Sequence, residues 1–344
     1  MTKSEKLRKM FRKPGIIKLV GAHNGLTAKL VENAGFEGVW ASSLEISASH
    51  LLPDANILTM TNYLNAAIAM NDAVDIPVVA DVDQGYGNCN NVSRMVEKFE
   101  AAGIAGVIME DNVFPKQNSL LEGERKELAS ARDFVGKIMA GKAAQRTKSF
   151  MLIARVEALI AGYGQKEAMR RAKAYVKAGA DGIMIHSKKK DPSEIIEFVK
   201  AWDNGMPLVI VPTNYPSFTE ERIKAYPGIK MVIYANFVVR TVVTAIQRSL
   251  SEIRESGGIS TISSKLIPVK DLFELQGTFE MKDAEKIFQQ KAYEIIRNIG
   301  PAARVPMDKK NMANWPVQSS LILPEGKHND KLQGFRGHAG QMQN

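Results

Sequence analysis

Short apolar runs that alternate with helical patterns constrain the fold of this chain most strongly. The eight runs cover residues 16–20, 38–41, 77–82, 106–109, 150–156, 182–185, 208–211 and 231–234. They are almost continuously apolar, which is typical of strands buried on both faces of a parallel sheet. The pattern predicts an α/β protein with a (β/α)8 barrel. A doubly wound sheet is the alternative, although the sequence lacks a Gly-x-Gly-x-x-Gly fingerprint that opens a helix.

The segments between the runs have helical periodicity. Apolar side chains recur at the spacing i, i+3, i+4, i+7 over residues 92–102 and again over 168–176. A glycine suited to a left-handed helix end, Gly103 or Gly179, follows each segment. A weak internal repeat places such a glycine between a helix and a strand at Ala34-Gly35-Phe36-Glu37-Gly38, Ala102-Gly103-Ile104-Ala105-Gly106 and Ala178-Gly179-Ala180-Asp181-Gly182.

The remaining chain predicts further helices and a tail. Residues 237–253 form one amphipathic pattern ended by Gly257 and Gly258, and a second helical region runs from 269 to about 299. We predict a barrel domain over residues 1–258 and a helical extension over 259–305 that packs on the barrel or on a partner subunit. A polar tail over 306–344 is expected to be partly disordered. Helices beyond the eighth strand must pack on the outside of the barrel or on a neighbouring subunit. We therefore expect a homodimer or homotetramer.

Charge and composition narrow the classes of function. The net charge is +9, yet the basic residues are dispersed and lack an aromatic RNA-binding signature, so we expect no nucleic-acid partner. Dispersed positive charge suits a small anionic substrate. No run of about 18 apolar residues and no secretory signal occur, so we expect no membrane partner and a cytoplasmic location. The single cysteine, Cys89, excludes an intramolecular disulfide.

Polar side chains follow seven of the predicted strands. Since the carboxyl ends of barrel strands meet at one rim, these side chains are candidates for a single site. They are His23 and Asn24; Trp40, Ser42 and Ser43; Asp81 and Asp83; Glu110 and Asp111; Arg155 and Glu157; His186 and Ser187; and Thr213 and Asn214.

Three of these carboxylates suit a metal ion. Asp81 and Asp83 are two residues apart and project to the same side of an extended chain. With Glu110 from the next strand they form an all-oxygen set appropriate for Mg2+ with several water ligands. Arg155 and His186 would supply positive charge to a phosphoryl or carboxylate group. The structural alternatives are an Asx-turn at Asp83 and a hydrogen-bonded core histidine at His186.

The loop after Glu110 and Asp111 carries Lys116, Asn118 and Ser119. Cationic and amide donors that follow paired carboxylates indicate a mobile segment that binds an anion. The alternative is an acidic strand end that caps the next helix.

Three motifs carry a resemblance to a known family. They are Trp40-Ala41-Ser42 with Leu44-Glu45-Ile46-Ser47-Ala48-Ser49; Asp81-x-Asp83-x-Gly85-Tyr86-Gly87-Asn88; and Glu110-Asp111 with Phe114-Pro115-Lys116-x-Asn118-Ser119. Over roughly residues 15–290 the chain resembles the phosphoenolpyruvate mutases of the isocitrate lyase and phosphoenolpyruvate mutase superfamily. The resemblance implies a Mg2+-dependent (β/α)8 barrel whose eighth helix is exchanged between subunits. It also implies the interconversion of phosphoenolpyruvate and phosphonopyruvate, the entry step to carbon–phosphorus natural products.

The resemblance implies a role for each matching residue. Asp81, Asp83 and Glu110 would hold Mg2+ partly through water, with Asp54 near the reacting centre. The pyruvyl carboxylate and enolate would be bound by Trp40, Ser42, Ser43 and Leu44. The phosphoryl group would be held by Lys116, Asn118, Ser119, Arg155 and His186 while the loop excludes water, which would otherwise divert the reaction to hydrolysis.

Departures from the family pattern keep alternatives open. Mutases have Lys where this chain has Asn112, and commonly Lys where it has Asn214. Lyases carry Lys-x-Cys-Gly-His in the loop, whereas this chain has Lys116-Gln117-Asn118-Ser119-Leu120 and therefore lacks the catalytic cysteine. We predict the mutase reaction, with phosphonopyruvate hydrolysis as the first alternative and a carbon–carbon lyase acting on a substituted malate as the second. A metabolite-binding or scaffold protein without activity is the non-enzymatic alternative.

Overall fold

Eight parallel strands form a closed barrel in the computed structural model, which describes residues 1–119, 121, 127–203 and 205–299. The strands are β1 (Ile17–Ala22), β2 (Gly38–Ala41), β3 (Val78–Asp81), β4 (Gly106–Glu110), β5 (Met151–Val156), β6 (Gly182–Ile185), β7 (Leu208–Ile210) and β8 (Ile229–Tyr234). Each strand pairs with the next, and β8 closes on β1 with Met231 opposite Ile17. The predicted (β/α)8 barrel is confirmed, and the doubly wound alternative is wrong.

Helices surround the strands. They are α1 (Lys3–Arg12), α2 (Gly25–Asn33), α3 (Ser43–Ser49), α4 (Met60–Ala73), α5 (Cys89–Ala101), α6 (Ala131–Ala144), α7 (Gly164–Lys177), α8 (Ser193–Ala201), α9 (Glu220–Ile223) and α10 (Phe237–Ser256). Polar side chains cap helix starts: Asn24 Oδ1 accepts the Thr27 N–H at 2.9 Å, and Asn88 Oδ1 accepts the Asn90 N–H at 2.9 Å. Helix α10 begins at its predicted residue.

The internal repeat has a physical explanation at Gly103 and Gly106. Gly103 follows α5 with a φ of +77°, a left-handed conformation that glycine adopts without strain. Gly106 begins β4, where a Cβ would lie 2.7 Å from the Met151 carbonyl oxygen of the neighbouring strand. The first glycine therefore ends the helix, and the second allows the strands to approach.

Two apolar layers hold the barrel together. Alternate strand residues point inward, and Leu19, Ile108 and Ile153 pack in the barrel interior with Leu7 and Phe11 of α1. The intervening residues point outward and pack against the helices in the larger cluster. Because the interior is filled by side chains, as in other barrels of this type, small molecules have access only at its ends.

The chain divides into two compact units, Met1–Pro268 and a second that begins at Val269. The second contains α11 (Val269–Leu275) and α12 (Thr278–Ile299), which Gly277 separates with a φ of +70°. The predicted domain boundary at residue 258 and the exchange of the eighth helix stay predictions. The predicted tail over 306–344 lies outside the described residues. Within the described ranges, no helix has the length and apolar character needed to cross a bilayer.

Candidate active site

A pocket lies at the carboxyl end of the strands, where the sequence predicted a site. Its cavity volume is about 60 Å³, room for a few water molecules or one small anion. Ten of the residues to which the sequence or the resemblance assigned a role line it: Trp40, Ser42, Leu44, Asp54, Asp81, Lys116, Asn118, Ser119, Arg155 and His186. The lining is completed by Met184, Val211, Thr213, Ala235 and Asn236. The other residues that were assigned a role, Ser43, Asp83 and Glu110, are buried and contact lining side chains.

The three predicted metal carboxylates are buried at the ends of β3 and β4. Asp81 Oδ2 accepts the Ser43 hydroxyl at 2.9 Å, and Asp83 Oδ1 lies 2.7 Å from Lys116 Nζ. Asp83 has a φ of +46°, a left-handed conformation that is strained for a residue with a Cβ. The Asx-turn alternative does not describe Asp83, because its carboxylate accepts side-chain donors from distant segments.

Burial disfavours the charged form of two of these carboxylates. Desolvation raises the pKa of Asp83 to about 6 and that of Glu110 to about 8, although Lys116 and Arg155 oppose these shifts. Glu110 Oε2 is 3.3 Å from Arg155 Nε but accepts no hydrogen bond. A buried carboxylate oxygen without a donor fits a site that takes a cation.

The same group does not form a closed protein cage. No set of three or more His, Cys, Asp or Glu side chains in the described ranges is arranged to enclose a metal ion. Mg2+ usually keeps several waters and takes only one or two carboxylates together with substrate oxygens. The donor set of Asp81, Asp83 and Glu110 therefore fits Mg2+ bound partly through water.

The loop after β4 is docked across the pocket by side-chain contacts. Lys116 Nζ lies 3.0 Å from Asp54 Oδ2 and donates to Ser43 Oγ at 2.6 Å. Burial opposes the charge of Lys116, but the surrounding carboxylates hold the pKa of its ammonium well above the usual range. Asn118 Nδ2 donates to Asp54 Oδ2 at 2.6 Å, and Ser119 Oγ donates to Glu157 Oε2 at 3.0 Å. The loop therefore presents a cation, an amide and a hydroxyl at the rim.

A buried cationic group forms the opposite side of the pocket. Arg155 Nε donates to Glu157 Oε1 at 2.6 Å, and Arg155 Nη2 donates to Ser119 Oγ at 2.5 Å. His186 Nδ1 is 3.3 Å from Arg155 Nη2 and 3.6 Å from Glu157 Oε1. Burial favours neutral Glu157, but Arg155 and His186 hold the pKa of this carboxyl well below its usual range. The charged guanidinium is thus oriented toward the space that an anion would occupy.

Asp111 supports this group from behind. Its Oδ1 accepts the Glu157 N–H at 2.8 Å, and its Oδ2 accepts the Tyr175 hydroxyl at 2.5 Å and Arg171 Nη1 at 2.9 Å. Asp111 is therefore held by hydrogen bonds within the barrel wall and does not line the pocket. Its position explains why the two adjacent carboxylates, Glu110 and Asp111, have different environments.

The sequence analysis included Glu157 among the strand-end candidates without a specific role, and it did not include Asn56 or Asn236. Glu157 carries a recognisable signal, because it lies two residues after Arg155 and projects to the same side of the strand. Asn236 lies two residues after the eighth strand, whose end the sequence analysis did not include. Asn56 lies between α3 and α4 and has no such signal.

The residues that depart from the family pattern have defined places. Asn112 Nδ2 donates to Glu110 Oε1 at 2.7 Å, so a neutral donor contacts a predicted metal carboxylate. Asn214 ends the short 3-10 helix Pro212–Asn214 and is not among the lining residues. Cys89 is exposed at the start of α5 and is also absent from the lining.

The chain matches the phosphoenolpyruvate phosphomutase family over residues 7–254. It is 47% identical over 285 residues to phosphonopyruvate hydrolase of Variovorax sp. (strain Pal2), covering 83% of this chain and 98% of that protein. It is 45% identical over 284 residues to phosphoenolpyruvate phosphomutase of Tetrahymena pyriformis, covering 83% and 94%.

Solved structures agree with this grouping. The crystal structure of phosphoenolpyruvate phosphomutase from Streptomyces platensis subsp. rosaceus superposes with a TM-score of 0.81 at 47% identity, covering 83% of this chain and 99% of that one. A phosphonopyruvate hydrolase complex with oxalate and Mg2+ gives a TM-score of 0.79 at 46% identity, with the same coverage. The chain therefore belongs to the phosphoenolpyruvate phosphomutase family, within the phosphoenolpyruvate mutase/isocitrate lyase superfamily.

Proposed function

We propose that this protein is a phosphoenolpyruvate mutase that interconverts phosphoenolpyruvate and phosphonopyruvate. The observation that carries the proposal is the docked loop. Lys116, Asn118 and Ser119 are each hydrogen-bonded to barrel side chains across a cavity of about 60 Å³. A small, covered pocket favours transfer of the phosphoryl group within the substrate, because water that entered in line would capture it.

The reaction moves one bond and leaves the atom count unchanged. The phosphorus–oxygen bond of phosphoenolpyruvate breaks, and a phosphorus–carbon bond forms at C3 of the resulting enolate. Arg155, Ser119 and His186 would hold the phosphoryl oxygens while the bond moves, and the contacts of Arg155 with Ser119 and His186 support this role. Lys116 adds a positive charge at the rim. Asp54 orients the loop through Lys116 and Asn118.

The other end of the pocket would bind the pyruvyl group. Trp40, Ser42 and Leu44 line this part of the strand-2 rim, and Ser43 connects Asp81 to Lys116 through its hydroxyl. Mg2+, which the relative with oxalate contains, would supply counter-charge to the enolate oxygen when bound near Asp81, Asp83 and Glu110.

Phosphonopyruvate hydrolysis is the second candidate. It is favoured by the relative from Variovorax, which is 47% identical, and it needs only that water reaches the phosphoryl group. A carbon–carbon lyase has less support, because no cysteine lines the described pocket although lyases are among the relatives.

Phosphorus NMR separates these reactions directly. The protein is incubated with phosphonopyruvate and Mg2+, and the appearance of phosphoenolpyruvate is the expected result. Free phosphate as the main product would mean that the protein is a phosphonopyruvate hydrolase and not a mutase. An unchanged phosphonopyruvate signal would contradict both proposed activities. The variant Cys89→Ser should give the same products as the parent protein, since Cys89 is exposed and outside the pocket.

We further propose a homodimer or homotetramer in which a second copy covers α10. Val243, Ile246 and Leu250 are 49%, 53% and 61% exposed and share one face of this helix. An apolar stripe of this kind on an isolated chain is a typical interaction surface. Light scattering tests it: Ile246→Glu should reduce the molar mass, whereas Ser251→Glu should not. A monomeric parent protein would contradict the proposal.

A further inference from the structure

Asn56 joins three separate segments at the rim of the pocket. It lies between α3 and α4, is half-buried and has a φ of +58°. Its Nδ2 donates to Asp83 Oδ2 at 2.9 Å, while its Oδ1 accepts the Lys116 N–H at 2.6 Å and Gln84 Nε2 at 3.1 Å. The amide therefore donates through its nitrogen and accepts through its oxygen at the same time.

We propose that Asn56 is a positioning residue that couples the docked loop to the acidic group of the site. This inference rests on the proposed function for its catalytic consequence, but not for its structural part. The two oxygens of Asp83 are held from different sides, one by Asn56 and the other by the Lys116 ammonium at 2.7 Å. Displacement of the loop would therefore disturb the orientation of Asp83 as well as the cover of the pocket.

Gln84 completes the coupling. Its Nε2 donates to Asn56 Oδ1 and also to the Val113 carbonyl at 2.9 Å. Asn56 and Gln84 together hold the loop backbone at Val113 and at Lys116, on both sides of Phe114. Asp54, two residues before Asn56, holds the side chains of Lys116 and Asn118. The segment from Asp54 to Asn56 is thus the surface on which the loop rests.

The proposal predicts a change in the fate of the phosphoryl group. When the backbone contact at Lys116 is lost, the loop spends more time undocked and water enters the pocket. A larger fraction of each turnover should then release free phosphate instead of the isomerised product. A residue with a purely structural role would lower stability without altering this ratio.

Two substitutions separate the acceptor from the donor. Asn56→Gly removes the whole side chain, and glycine adopts the φ of +58° without strain. Asn56→Asp keeps an oxygen that accepts from Lys116 and Gln84, but it replaces the donor to Asp83 by a carboxylate oxygen that repels the Asp83 carboxylate. Alanine is unsuitable, because it would add backbone strain to the loss of the side chain.

Amide hydrogen exchange of the full protein measures the contact without substrate. The Lys116 amide should exchange roughly three- to tenfold faster in Asn56→Gly, as the loss of one hydrogen bond implies. In Asn56→Asp the Lys116 amide should also exchange faster than in the parent, because repulsion between the two carboxylates displaces the segment that holds the loop. Equal rates in the parent and Asn56→Gly would overturn the inference, and so would a parent-like rate in Asn56→Asp, since the contact with Asp83 would then not be coupled to the loop.

Phosphorus NMR of the same proteins tests the catalytic consequence. Asn56→Gly should raise the ratio of free phosphate to isomerised product, and an unchanged ratio would overturn the claim that this contact excludes water. If the parent protein converts neither substrate, the proposed function fails, while the exchange rates still decide whether Asn56 holds the loop. Should Asn56→Gly fail to fold, accelerated Lys116 exchange in Asn56→Asp would support the inference, and a parent-like rate would overturn it.

Discussion

Replacement of Glu157 by glutamine should destabilise the barrel at the pocket. The variant keeps the size of the side chain but removes a buried charge that contacts Arg155 at 2.6 Å and lies 3.6 Å from His186. Removal of one partner from a buried ion pair typically costs about 3–5 kcal/mol. Glu110 remains 3.3 Å from Arg155 and ionises more easily once the charge of Glu157 is removed, so we expect the lower end, about 3 kcal/mol.

Thermal and denaturant unfolding measure this loss. For a domain of this size, about 3 kcal/mol corresponds to a decrease in Tm of roughly 6–12 °C. Glu221→Gln is the matched control, because Glu221 forms an ion pair with Lys224 at 2.9 Å but is fully exposed. This control should leave the unfolding curve unchanged. A loss below about 1 kcal/mol in Glu157→Gln would refute the assigned ion-pair energetics.

The pH dependence of the unfolding free energy is an independent test of the charge on Glu157. The folded pKa of Glu157 lies below its ordinary value of 4.5, so its stabilising contribution is complete above that value. The contribution is lost as pH falls toward the folded pKa. The difference in unfolding free energy between the parent and Glu157→Gln should therefore be largest near neutral pH and shrink in acid. A difference that grows as pH falls would contradict the charge assignment.

Three further substitutions test other parts of the site. Asp83→Ala should abolish Mg2+-dependent turnover measured by phosphorus NMR, and full activity would refute the metal assignment. Asn112→Lys should retain or raise mutase activity in the same assay, since Asn112 contacts Glu110 at 2.7 Å and the resemblance implies a lysine at this position in mutases; complete loss would show that the pocket requires the amide. Tyr175→Phe removes the hydroxyl that donates to Asp111 at 2.5 Å, and it should lower the unfolding free energy by about 1–3 kcal/mol. Unchanged chemical denaturation of this last variant would mean that the buried bond contributes nothing.

The fold was predictable because its signals are local. Apolar runs and the paired glycines at Gly103 and Gly106 mark helix ends and strand starts without reference to the rest of the chain. Each predicted run overlaps an observed strand. The separation of α11 from α12 was not predicted, since the helical periodicity continues across the left-handed Gly277.

The sequence by itself determined which side chains reach the carboxyl rim of the barrel, because strand ends in this architecture converge. It did not determine which atoms meet there. The Lys116 ammonium donates hydrogen bonds to Asp54 and Asp83, which precede it by 62 and 33 residues. The Lys116 backbone N–H donates to Asn56, which is 60 residues away. No local pattern encodes such pairs. They exist because closure of the barrel brings the loops after β2, β3 and β4 together, and burial then makes each polar group find a partner.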